Sequence, residues 1–145
     1  MKKLLAIFAM TVVSVSVFAF DPNVSEKVLK SFNETFTAAE DVKWEKFEKY
    51  YTVSFVQGGI QSKVNYDQSG DMLSSLRYYA PNLLPLNIYN RIKNNYSKKE
   101  MFGVTEVTFN NEVVYYVKMQ DAKNWITLKV DASGSAEVVE KYKKA

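Results

Sequence analysis

Tyr66-Asp67-Gln68-Ser69-Gly70 decides how this chain is read, because the chain writes the pattern twice. Val130-Asp131-Ala132-Ser133-Gly134 is again a strand end followed by Asp-x-Ser-Gly, with Asp131 64 residues after Asp67. The flanking segments match in pattern as well. Phe32 and Phe36 align with Ile92 and Tyr96 at an offset of 60, and Val53 and Phe55 with Tyr115 and Val117 at 62. The offset grows only between strands, where loop insertions belong, so the echo reads as an internal duplication.

Working outward from the first turn, the hydrophobic period names the elements. Val28, Leu29, Phe32 and Phe36 recur at helical spacing and predict a helix over 25–39, capped by Ser25 or Asn23. From Asp41 the period changes to two, and the alternation predicts about four strands between Asp41 and Tyr79. Pro81 to Pro85 breaks the pattern. A second helix is expected over 85–96, with Ile88, Ile92 and Tyr96 on one stripe and Pro85 in the first turn. Strands follow near 102–109, 113–119, 125–130 and 136–142, with Asn110-Asn111 as a hairpin signal. The expected fold is α+β: a tandem repeat of one helix followed by an antiparallel meander of about four strands, the helices packed on one face of the sheet. The expected division is 1–19 leader, 20–80 first repeat and 81–145 second repeat, in one compact unit.

The leader is read from Lys2-Lys3, the apolar run Leu4 to Phe18, and Val17-Phe18-Ala19. These match the three regions of a secretory signal peptide, with cleavage after Ala19. The alternative is a membrane anchor, but Leu4 to Phe20, 17 residues holding Thr11, Ser14 and Ser16, sits at the short limit for a span. With no Cys in the chain, a lipid-bearing cysteine is excluded, so a periplasmic or secreted protein free of the membrane is expected. Losing Lys2 and Lys3 lowers the net charge from +3 to +1. A near-neutral chain with interleaved signs gives no footprint for nucleic acid. Without disulfides, stability must come from a core, which the remaining 126 residues can build.

The chain has no His and no Cys, which removes the commonest general base, the usual zinc ligands and the thiol nucleophile. No Ser-x-x-Lys lies on an expected helix. Glu45 and Glu48 are interleaved with Lys46 and Lys49, a charged outer face rather than a carboxylate pair. Gly58-Gly59 is a hairpin and not a phosphate loop, since no helix start or Gly-Lys-Ser/Thr follows. The Asp-x-Ser-Gly segments read as turns. A calcium loop fails in the second segment, where Ser135 stands where the first has Asp71. No cofactor, no metal and no catalytic residue is expected, and a cryptic enzyme ranks last among the readings.

Aromatic content is the remaining anomaly, with ten Tyr, nine Phe and two Trp. Alternation divides the strands between two faces. Tyr51, Val53, Phe55, Val64 and Tyr66, with Val113, Tyr115, Val117, Ile126, Leu128 and Val130, are expected to face the helices. The opposite face is then expected to carry Arg77, Tyr79, Tyr116, Lys118, Trp125 and Lys129. An open face of Lys, Tyr and Trp suits protein recognition, because Tyr, Trp and Arg supply most anchoring energy at interfaces. The bland alternative is a two-layer domain with ordinary exposed aromatics, or a face partly covered by the other half.

Phe36-Thr37-Ala38-Ala39-Glu40-Asp41-Val42-Lys43-Trp44-Glu45 resembles a segment of the PepSY-like proteins: phenylalanine, small residues, alanine, then Val-x-Trp-Glu. These are similar to the β-lactamase inhibitor protein and common among exported proteins of Bacteroides-type bacteria. The Tyr51–Phe55 strand, the Tyr66–Gly70 turn and Leu84-Pro85 fit the same pattern, so the resemblance covers most of 28–142. Thr37 departs from it, standing where the family usually has proline. The resemblance implies an exported protein of helix-plus-sheet units that binds or restrains an enzyme, such as a peptidase or other hydrolase. No inhibitory residue carries over. The function expected is therefore non-enzymatic binding of a protein partner through the open sheet face. The alternative is a small-ligand or cell-envelope glycan binder using the same aromatics. Partner identity and oligomeric state are not legible. Export should cut the chain between Ala19 and Phe20, which the intact mass of the exported protein checks; a full-length mass would remove the leader reading.

Overall fold

Ser25 opens the first helix: its backbone is extended, and its Oγ accepts the N–H of Val28 at 3.4 Å. That bond satisfies one of the donors a helix start leaves free. A computed structural model describes residues 23–145, so the leader lies outside the described residues. From Ser25, α1 (Glu26–Thr35) puts Val28 and Phe32 on its buried stripe. The second helix, α2 (Leu86–Asn95), follows Pro85 without a side-chain cap and buries Ile88 and Ile92 at the same spacing. Both are shorter than the sequence suggests. They stop where the N–H groups of Phe36 and Tyr96 donate to the carbonyls of Phe32 and Ile92.

Eight strands make up the rest: β1 (Glu40–Lys46), β2 (Tyr50–Gln57), β3 (Ile60–Asp67), β4 (Met72–Tyr79), β5 (Glu100–Phe109), β6 (Glu112–Gln120), β7 (Asn124–Asp131) and β8 (Ala136–Lys143). They form a single antiparallel sheet in sequence order. This corrects the expected architecture. In place of a tandem repeat of helix-plus-meander units with helices packed on one face, one eight-stranded sheet dominates, and only two ten-residue helices accompany it. The physical reason is the pairing of β4 with β5, from Ser74↔Phe109 to Tyr79↔Val104. Two separate meanders would each have left one of these strands as a long unpaired edge, a row of unsatisfied N–H and C=O groups.

Each helix covers its own patch of sheet. Under α1 the packing is aromatic, with Phe32 against Phe55 at 5.1 Å and Trp44 at 5.2 Å, both edge-to-face, and Phe36 against Phe55 at 4.6 Å. Such pairs add about 0.5–1.5 kcal/mol beyond their area. Val53, Val64 and Tyr66 complete that cluster. Burial pushes the Tyr66 phenol up to about 12, and its oxygen has no hydrogen-bond partner among the described residues. Under α2 the packing is aliphatic: Ile88 and Ile92 meet Val104, Val117, Met119, Ile126, Leu128 and Val130. The strand residues expected to face the helices, Tyr51 to Tyr66 and Tyr115 to Val130, are buried in these two clusters, with Val113 packed at the margin of the second.

The two Asp-x-Ser-Gly turns share one hydrogen-bond pattern. Asp67 Oδ1 accepts from the Ser69 N–H (2.8 Å), the Ser69 hydroxyl (2.7 Å) and the Asp71 N–H (3.0 Å). Asp131 Oδ1 accepts from the Ser133 N–H (2.9 Å), the Ser133 hydroxyl (2.6 Å) and the Ser135 N–H (3.0 Å). Each turn then presses its glycine on a helix. Gly70, at φ 94, leaves room for the Lys27 carbonyl and Ser31 Oγ, each only 2.9 Å from where a Cβ would stand. Gly134, at φ 85, meets the Arg91 side chain at 3.2 Å, and Arg91 Nη1 donates to the Ser133 carbonyl at 3.2 Å.

Alanine at either glycine adopts a left-handed backbone at a cost of about 1–2 kcal/mol. Gly70→Ala should cost more than Gly134→Ala, because it also drives a Cβ into helix backbone rather than into a flexible arginine stem. Urea unfolding midpoints of the two variants check the order. A second expectation concerns acid. The serine hydroxyls, with backbone N–H groups, hold Asp67 and Asp131 below the usual carboxylate range. A lowered folded-state pKa gives stability that is complete above the ordinary carboxylate value and is lost as pH falls through the folded-state value. Unfolding midpoints should therefore drop from about pH 4 downward, with a shallower drop in Asp67→Ala plus Asp131→Ala.

Candidate functional site

Residues opposite one another on neighbouring strands share a face. The register therefore sorts every side chain of the sheet. On the face away from the two clusters, one row runs Gln61, Tyr78, Thr105, Tyr116, Lys129, Glu137 across β3 to β8. The next row runs Lys43, Ser54, Lys63, Leu76, Val107, Val114 across β1 to β6. Neither hydrophobic cluster reaches this face. It is one surface, continuous across the join of β4 and β5.

Two open depressions lie in it. One, of about 710 Å³, is lined by Lys43, Ser54, Gln61, Lys63, Leu76 and Tyr78 among others. The other, of about 530 Å³, is lined by Thr105, Tyr116, Lys118, Thr127, Lys129 and Glu140 among others. Tyr78 of the first and Thr105 of the second are direct cross-strand partners, so the depressions adjoin. Polar groups of the second are bound to one another. Lys118 Nζ donates to Thr127 Oγ1 (2.8 Å) and Glu140 Oε2 (3.1 Å), and Thr127 Oγ1 donates to Glu140 Oε2 (2.7 Å). Lys129 pairs with Glu137 at 3.7 Å. The Thr127 hydroxyl, then Lys118, holds the Glu140 carboxyl below its ordinary range.

An aromatic group closes the end of this face. The Phe102 and Trp125 rings meet edge-on at 5.4 Å, Lys144 Nζ stands 4.4 Å from the Trp125 ring, and Tyr142 lies opposite Trp125 across β7 and β8. Phe102, Trp125 and Tyr142 remain 47%, 43% and 62% exposed, large apolar areas for a protein surface.

Four of the six residues selected from the sequence are on this face. Tyr116, Lys118 and Lys129 line the second depression, and Trp125 belongs to the aromatic end. Arg77 and Tyr79 are not among them, and their placement is corrected. Arg77 pairs with Ser62 and Glu106, Tyr79 pairs with Val104, and Tyr79 packs on the cluster under α2. There they clamp Glu106: Arg77 Nη1 donates to Oε1 at 3.0 Å and Tyr79 Oη to Oε2 at 2.6 Å. Burial, then that bond and the carboxylate's charge, hold the Tyr79 phenol well above its ordinary range. Between the two clusters there is little apolar surface to meet, so Ser75, Arg77 and Glu106 point where Leu76 and Tyr78 would be expected.

Phe102, Tyr142 and Tyr78 escape a reading by alternation. Phe102 sits at a register shift between Met101 and Gly103, and β8 shifts against β7 between Thr127 and Leu128. Gly103 inside a strand was the available signal for the first bulge. Among the described residues, no three His, Cys, Asp or Glu side chains come together as a metal site, and no helix is long and apolar enough to cross a membrane.

No protein-family model and no curated protein matches the sequence. Solved structures do share the fold. A BLIP-like protein from Bacteroides fragilis superposes with a TM-score of 0.61 at 17% identity, over 86% of this chain and 89% of that one. A DUF2874 family protein from Bacteroides uniformis gives 0.58 at 20% identity, over 83% and 89%. A protein from Bacteroides eggerthii, provisionally described as periplasmic, gives 0.58 at 15%, over 83% and 88%. The fold is thus BLIP-like, and these likenesses do not speak to the PepSY-like part of the sequence resemblance.

Proposed function

We propose that this chain is an exported, non-enzymatic binding module that engages a protein through the open face of its sheet. The observation that carries the reading is the continuity of that face. Tyr78, Tyr116 and Trp125, with Phe102 and Tyr142, sit on one sheet surface with lysines between them. Exposed aromatics on a rigid scaffold bind with little ordering cost and anchor protein interfaces. Tyr116, Lys118, Trp125 and Lys129 are the contact residues of this proposal, and Arg77 and Tyr79 support them from the opposite face. The BLIP-like likeness and the neighbour described as periplasmic agree with export and with a protein partner, of which a peptidase or other hydrolase is the class favoured. Fold likeness by itself does not fix a function.

The aromatic end argues against glycan binding. A sugar ring stacks on a flat open platform, whereas Phe102 meets Trp125 at 80° and Lys144 stands over the Trp125 ring.

The chain without its leader, immobilised, should capture a protein from the periplasm or medium of its source cells. Tyr116→Ala plus Trp125→Ala should weaken capture of that protein at least tenfold, since anchor residues each contribute about 2 kcal/mol or more. Unchanged capture by a variant with an unchanged circular dichroism spectrum would exclude this face.

A further inference from the structure

Resting on the open-face reading, we infer that the partner is acidic where it covers the aromatic end. An apolar side chain of the partner meets Phe102, Trp125 and Tyr142, and Asp or Glu side chains beside it meet a rim of lysines. The rim forms where three segments are tied together. Lys99 Nζ donates to Asp121 Oδ2 at 2.6 Å, and Asp121 Oδ1 accepts the Lys123 N–H at 2.9 Å. The Lys144 N–H donates to the Lys123 carbonyl at 2.8 Å, and Lys143 lies opposite Asn124. The chain after α2, the β6–β7 loop and the end of β8 therefore bring Lys98, Lys99, Lys123, Lys141, Lys143 and Lys144 to one end of the sheet. Lys141 and Lys143 leave β8 on the side away from Tyr142, but β8 is the edge of the sheet, so a partner reaches their long stems around that edge.

The carboxylates at this end are already engaged. Asp121 also accepts the backbone N–H and the side-chain amide of Asn124, at 2.8 and 3.0 Å, and Glu100 Oε2 accepts from Gln120 at 3.0 Å. Glu140 is paired with Lys118. Glu100 and Asp121 thus stand against six lysines, an excess of four positive charges, or of three with a chain-end carboxylate at Ala145 counted. Among the described residues, the side chains of Lys98, Lys123, Lys141 and Lys143 make no hydrogen bond and no ion pair, and all four are exposed. Lys144 is held by Gln120 over the Trp125 ring, so the charge extends onto the aromatic cluster itself. The other edge of the open face has no such excess, because Glu40, Asp41 and Glu45 stand beside Lys43 and Lys63. A partner that covers Phe102, Trp125 and Tyr142 also takes water from the lysines around them. Matched carboxylates offset that loss, steer the approach and disfavour basic partners. The cluster runs on into the face that carries Tyr116, which favours a protein over an anionic lipid surface.

A random peptide library displayed on phage, selected against the chain without its leader, tests this. Selected peptides should be rich in Asp and Glu next to an aromatic or aliphatic residue. Their affinity should fall about tenfold or more on Lys123→Glu plus Lys143→Glu, and fall again as sodium chloride is raised. Lys123→Gln plus Lys143→Gln serves if the charge-reversed variant does not fold. Lys43→Glu plus Lys63→Glu should leave the same peptides bound. Selection of no peptide, of peptides without acidic residues, or of acidic peptides that ignore Lys123 and Lys143 or depend on Lys43 and Lys63 overturns the inference. So does retention of the protein by phosphatidylglycerol vesicles but not by phosphatidylcholine vesicles, which would assign the lysines to a lipid surface. The two proposals fail separately. Non-acidic peptides lost on Tyr116→Ala plus Trp125→Ala would leave the open face standing and remove the acidic partner, whereas peptides indifferent to that variant would remove the open face and this inference with it.

Discussion

Everything on this molecule's surface depends on the pairing of β4 with β5. Six register pairs from Ser74↔Phe109 to Tyr79↔Val104 turn two four-strand runs into one sheet. Without them each run would end in an unpaired edge, and an exposed edge invites pairing with other chains. The join is reinforced, on the face that carries the two hydrophobic clusters, by Arg77 and Tyr79, which hold the two oxygens of Glu106 across it. The Glu106 side chain is only 13% exposed, so its charge is tolerable there because two donors meet it. The clamp thus fixes the relative position of the halves, which in turn makes the opposite surface continuous.

That join also explains what could and could not be read from the sequence. Alternation correctly separates Val53, Phe55 and Val64 from Lys63, and Tyr115 and Val117 from Tyr116 and Lys118, because a helix with an apolar stripe lies over each set. On β4 the same rule fails. Neither hydrophobic cluster includes a β4 residue among its buried members, so Arg77 and Ser75 share the face of the clusters while Leu76 and Tyr78 face away. Apolarity marks the inward face only where something apolar waits to be met. The union of the strands was hidden for a related reason: backbone pairing leaves no trace in side-chain period. Phe102 and Tyr142 were lost to the two bulges, each of which moves the phase by one residue.

The Asp-x-Ser-Gly turns do more than close hairpins. In each, one carboxylate oxygen takes three donors and shapes a loop whose glycine touches a helix, at Lys27 and Ser31 in the first and Arg91 in the second. The sequence shows the turn chemistry, since Asp, Ser and Gly at those positions have a local purpose. It does not show the helix contact, which joins residues some 40 apart.

The two halves of the open face have reached opposite electrostatic solutions. On β6 and β7 the two lysines facing out, Lys118 and Lys129, each have a glutamate, and such exposed pairs contribute little stability, about 0–1 kcal/mol each. Their effect is to neutralise those two lysines, so that the exposed aromatic surface of Tyr116, Trp125 and their neighbours dominates that half. Around β1 to β3 Lys43 and Lys63 face out with no ion pair among the described residues, and Glu40, Asp41 and Glu45 of β1 stand beside them. Burying them under a neutral surface would desolvate two charges without return. A partner that covers the whole face is therefore constrained at both ends, apolar over Tyr116 and Trp125 and polar over Ser54, and an asymmetric surface of this kind admits one orientation of its partner rather than two.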